Sequence, residues 1–174
     1  MKGDPLHCLL AEISRRKATA VVVGSHGISR ATGIALGAVS TYLLHDAPCS
    51  VLIARGSIDA ELWPRRIVVG VDGSADSIRA IEAATALAAR CDANLRTMVA
   101  TQDARVDLDA VRRIAPGCEE HDAQALELLE VTSETVDLIV VGSRGLRGVR
   151  ALGSLSERIA HEAHGSVLVV RSPE

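Results

Sequence analysis

The chain has 174 residues, 48% of them apolar, a net charge of −3, and only two aromatic side chains, Tyr42 and Trp63. That length suggests one full domain with something extra, built on an aliphatic core. The acidic balance argues against a nucleic-acid footprint, and the scarcity of aromatics removes base-stacking surfaces. No apolar run reaches the roughly 18 residues of a membrane span. The start, Met1-Lys-Gly-Asp-Pro, lacks the apolar stretch of a signal peptide, so the expected compartment is the cytoplasm.

Taken in order, Pro5 to about Lys17 reads as a helix with Leu6, Leu9, Leu10 and Ile13 on one face, started by Asp4-Pro5. Ala20–Val23 is short and β-branched, as expected of a strand buried on both faces. A glycine loop follows, then a helix from about Gly37 to His45 and a second buried strand, Ser50–Ala54. Gly56 to about Pro64 is a candidate linker. Ile67–Val71 is then a strand ending in Asp72-Gly73-Ser74, with Ser74 as N-cap of a helix reaching Arg90. Ile78, Ile81, Ala84, Thr85 and Ala88 would form its inner face. Leu95–Ala100 is a strand, Thr101 to about Asp109 a short polar segment, and Ala110–Ile114 a further strand ended by Pro116-Gly117. A helix is expected from His121 to about Thr132, with Leu126 and Leu129 inward. Leu138–Val141 is a buried strand opening into a glycine loop, followed by a short helix and a last strand, Ser166–Val170.

This last stretch occurs twice. Gly37–Arg55 and Gly153–Arg171 are identical at 8 of 19 aligned positions without a gap, and Ala20–Gly27 matches Leu138–Gly145 at 5 of 8. Two units follow from this repeat, rather than a solenoid. From Ile67 onward strands alternate with helices, which implies right-handed crossovers and an open, doubly wound parallel sheet. Ligand sites in such sheets lie outside the carboxyl ends of the strands.

Two features occupy those ends: Asp72 and the Gly142–Ser156 loop. Glycines that allow backbone approach, a helix N-terminus, and hydroxyls at Ser154 and Ser156 together suit a phosphate. Arg144, Arg147 and Arg150 add three cations. The same residues have plainer roles: a turn at the glycines, a helix cap at Ser154, a braced turn at Asp72, a solvated edge at the arginines. Neither the Walker pattern nor the Gly-x-Gly-x-x-Gly fingerprint is present. The four cysteines form no Cys-x-x-Cys pair and read as reduced, mostly buried thiols. Neither Cys118 with His121 nor His161-Glu-Ala-His164 has the ligand count or spacing of a zinc site.

Val-Gly-Val-Asp-Gly-Ser (69–74), Leu-Ile-Val-Val-Gly-Ser-Arg-Gly (138–145), Gly-Ser-Leu-Ser-Glu-Arg-Ile-Ala-His (153–161) and Ser-Val-Leu-Val-Val-Arg (166–171) together resemble a universal stress protein domain. The first copy is similar to the second half of one. The resemblance implies a tandem chain: residues 1–56 a partial domain, 57–65 a linker, and 66–174 a complete domain with a Rossmann-like five-stranded parallel sheet. It further implies ATP or a related nucleotide as ligand, with Mg only alongside it. Gly70, Val71, Asp72 and Ala100 would serve the nucleoside, and Val141, Gly142, Arg144, Gly145, Gly153, Ser154 and Ser156 the ribose and phosphates. Two departures stand out: the second loop has seven residues between Gly145 and Gly153 where the family has nine, and the first copy ends its loop in Gly37-Ala38. The expected role is a cytoplasmic sensor or regulator without catalysis. A dimerising protein-interaction module without nucleotide is the alternative, and a nucleotide-using transferase the third. Last-strand pairing, Ser50–Ala54 against Ser166–Val170, and an open sheet edge imply a homo-oligomer. Nucleic acid and membrane are not expected as partners.

Overall fold

The computed structural model describes residues 5–25, 36–56, 63–143 and 154–172. In chain order the elements are α1 (Pro5–Arg16), β1 (Ala20–Gly24), α2 (Ala38–Asp46), β2 (Ser50–Ala54), β3 (Arg66–Gly70), α3 (Ala75–Cys91) and β4 (Asn94–Ala100). They continue as α4 (Leu108–Ile114), β5 (Glu119–His121), α5 (Ala125–Ser133), β6 (Leu138–Gly142), α6 (Leu155–Glu162) and β7 (Ser166–Val170). Among the described residues no helix is long and apolar enough to cross a membrane.

All seven strands share one sheet, in the order β1-β2-β7-β6-β3-β4-β5. The expected five-stranded parallel sheet is the run β7-β6-β3-β4-β5. The first copy extends it by two strands, parallel to each other and joined to β7 antiparallel. The expected last-strand pairing is therefore present, with Val51 opposite Val169, Leu52 opposite Leu168 and Ile53 opposite Val167. Alternation along the strands splits the interior into two layers. Val51, Ile53, Val68, Ile139, Val167 and Val169 form one, with Ile13, Leu43, Leu129 and Ile159 from the helices. Ile67, Val69, Leu138 and Val140 form the other, under Ala80, Ala84 and Val111. The first layer draws on both copies, so the interior is continuous across them on that face.

Four expectations need correction. Ala110–Ile114 is not a strand but most of α4, because Asp107 caps a helix there, accepting the N–H of Ala110 at 2.9 Å. The strand in its place is β5, where the sequence suggests interstrand chain and the first residue of a helix. Its charge hides it: Glu119 is held across the ladder by Arg96 at 2.8 Å, and Glu120 by Arg112 at 2.8 Å. β1 is an edge strand rather than buried on both faces, with Val22 62% exposed. The inner face of α3 runs through Ser77, Ala80, Ala84 and Ala88, while Ile78 is 38% exposed and Thr85 is exposed. Small side chains face the sheet there because α3 lies close against β6, which leaves no room for isoleucine. Of the cysteines, all free, only Cys49 is buried and Cys91 is exposed. The central part of the candidate linker, residues 57–62, lies outside the described residues.

Candidate functional site

Three adjacent parallel strands, β6, β3 and β4, finish at the same edge of the sheet. Past their ends lies an open cleft. Eight of the residues expected from the sequence line it: Gly70 at the end of β3 with Val71 and Asp72 just after it, Ala100 at the end of β4, Val141 and Gly142 from β6, and Ser154 and Ser156 from the start of α6. Arg144, Gly145 and Gly153, with the neighbouring Arg147 and Arg150, lie outside the described residues.

Each wall follows from local chemistry. After β3 the chain must turn back into α3, and Gly73 at φ +85° makes that turn in a region other residues avoid. The Asp72 carboxylate accepts the N–H of Ser74 at 2.9 Å, and the Ser74 hydroxyl caps α3 by accepting from Ser77 at 3.2 Å. Asp72 thus braces the turn as well as facing the cleft. Ser154, also on the cleft, is the N-cap of α6, its hydroxyl accepting the Glu157 N–H at 3.2 Å and lying 3.2 Å from the Ser156 hydroxyl. First-turn N–H groups have no intrahelical acceptor, so this end of α6 favours an anion. Val71, Met98, Val106 and Leu128 supply the apolar part of the lining.

Gly142 carries a constraint that its place after a strand does not disclose. A Cβ built on it would meet the backbone carbonyl of Asp76 at 2.7 Å. The glycine admits the first turn of α3 as much as any ligand.

Arg105 was not foreseen. It lines the cleft mouth, its backbone N–H 3.0 Å and its guanidinium Nε 3.3 Å from Oδ1 of Asp103. The signal existed: residues 101–107 follow β4 at the carboxyl edge, where ligands gather. Ser77 and Ser143, also on the cleft wall, are buried polar residues. Ser77 gives its hydroxyl hydrogen to Ser74 O at 2.8 Å. In the first copy Ser40, the counterpart of Ser156, turns its hydroxyl onto the Gly24 carbonyl at 2.8 Å.

Residues 2–55 and 117–171 match the family described as the universal stress protein family. A universal stress protein of Mycobacterium tuberculosis is 32% identical over 186 residues, covering 90% of this chain and 62% of that protein. The chain thus spans less than two thirds of the length of that relative. The crystal structure of a universal stress protein from Archaeoglobus fulgidus superposes with a TM-score of 0.75 at 27% identity, over 97% of this chain and 67% of that one. Another, a universal stress protein in complex with cAMP, is 25% identical with a TM-score of 0.52, covering 62% of this chain and 97% of its own.

Because the Gly142 contact is with backbone, Gly142→Ala should destabilise the fold by at least about 2 kcal/mol, read as a lowered urea midpoint. An unchanged midpoint would show that β6 and α3 are not in close contact.

Proposed function

The chain belongs to the universal stress protein family, and from that premise we propose that its second unit binds ATP or a related adenine nucleotide as a cytoplasmic sensor or regulator. One observation carries the reading: Asp72 and the Ser154–Ser156 helix start line one and the same cleft, together with the apolar side chains of Val71, Met98, Val106 and Leu128. A nucleoside suits the Asp72 side, where a carboxylate accepts hydroxyls or amines beside Val71 and Ala100. Phosphates suit the capped start of α6, with Arg105 at the mouth. The solved relative in complex with cAMP supports a nucleotide in a domain of this kind. No catalytic step is part of the proposal. Arg144, Gly145 and Gly153 remain part of the proposed phosphate side, and Mg would enter only with the nucleotide.

Calorimetric titration with ATP, together with analysis of nucleotide released on denaturing the purified protein, tests this directly. Binding is expected, and Asp72→Ala should weaken it by about 1–3 kcal/mol through the lost polar contact. No heat, no released nucleotide and no thermal shift at millimolar ATP would end the reading.

A second reading, dimerisation through the sheet edge, is favoured by β1. Its segment Ala-Val-Val-Val-Gly carries neither charge nor proline, the usual guards of an exposed edge, and Val22 stands open. A second copy pairing β1 with β1 would cover both edges at once, since a two-fold contact is self-complementary. Light scattering should then give a dimer mass at micromolar concentration; a sharp monomer would contradict it.

A further inference from the structure

The first copy grips the helix on which the proposed phosphate end depends. His45, near the end of α2, places Nε2 2.8 Å from Oε1 of Glu157, with side chains only 15% and 13% exposed. Glu157 is the third residue of α6, and its N–H is the one that Ser154 Oγ accepts. Its carboxylate therefore belongs to the same helical turn as Ser154 and Ser156, which line the cleft. At the far end of α6 the Arg55 guanidinium donates to Ala160 O at 2.7 Å and His161 O at 3.1 Å. The counterpart of Glu157 in the first copy is Thr41, so the repeat does not carry this carboxylate in both copies.

A carboxylate in the first turn is at odds with phosphate binding. It favours the helix through the dipole, but it competes with an anionic ligand for the same positive end and repels it. We propose that His45 is a positioning residue for nucleotide binding: it holds the Glu157 carboxylate toward the first copy and away from the phosphates. The first copy would then serve the ligand site of the second without touching the ligand. This inference rests on the nucleotide reading above.

A double-mutant cycle with two ligands tests it. ATP and adenosine are titrated into wild type, His45→Ala, Glu157→Gln and the double variant, with thermal melts to establish folding. Releasing the carboxylate should weaken ATP by about threefold to tenfold in His45→Ala, the scale of one nearby like charge partly screened by solvent. Adenosine, which carries no phosphate, should bind all four proteins alike. The double variant should recover wild-type ATP affinity, because an amide at position 157 has no charge to restrain. His45→Gln, which keeps a donor, should stay near wild type and covers the case in which alanine there impairs folding. An ATP loss in His45→Ala that Glu157→Gln does not rescue, or one shared by adenosine, would overturn the proposal in favour of a merely structural contact. So would unchanged ATP affinity in His45→Ala. Wild type binding neither ligand would end the nucleotide reading, and this inference with it.

Discussion

The antiparallel joint between β2 and β7 is the contact on which the rest of the structure depends. Among the described residues every other strand pairing in the sheet is parallel. At this joint the repeat meets itself about a local two-fold, and equivalent residues exchange equivalent bonds. The Arg55 N–H donates to Ser166 Oγ and the Arg171 N–H to Ser50 Oγ, both at 3.1 Å. The two guanidiniums reach across to opposite helices. Arg55 serves the carbonyls of Ala160 and His161 at the end of α6, and Arg171 those of Leu44 and Ala47 at the end of α2. Arg171 is only 5% exposed. A buried cation is tolerable there because it meets carbonyl oxygens at the negative end of a helix. Two strands and two helices, too small to stand alone, thereby join a larger core.

The joint and the cleft are linked through α6. Its first turn offers Ser154 and Ser156 to the cleft and Glu157 to His45, while Ile159 and Ala160 are buried in the core layer that both copies share. Burial also holds the His161 imidazole below the usual histidine range, with Arg55 and His45 adding to that effect and Glu157 opposing it. The position of the helix is thus set by packing and hydrogen bonds to the first copy as well as by its own domain. A strand-end site with one movable wall would bind weakly. Here that wall is held from behind.

How much of this could be read beforehand depended on whether residue type or residue size carried the signal. The repeat showed in identities such as Ser50/Ser166 and Arg55/Arg171, and the structure gives those residues reciprocal roles. The parallel sheet showed in β3 and β6, whose runs Ile-Val-Val and Leu-Ile-Val-Val are buried on both faces. β5 did not show, because its glutamates are stabilised by arginines of other elements, Arg96 in β4 and Arg112 in α4. The phase of α3 did not show either: counting apolar residues favoured Ile78, whereas the close approach at Gly142 selects Ala80 and Ala84. In the cleft, Asp72, Ser154 and Ser156 were legible from their places after strands and before a helix. Arg105 sits in a loop with no motif, and His45 acts across the joint, a relation that only the folded chain displays.

Native-state hydrogen exchange across the joint tests most directly whether the two copies form one cooperative body. The amides of Leu52 and Ile53 in β2 should open with the same free energy as those of Val167 and Val169 in β7, and with the same dependence on denaturant. If β2 exchanged through a separate, lower-energy opening while β7 stayed protected, the first copy would be an appendage, and its hold on α6 would carry no weight.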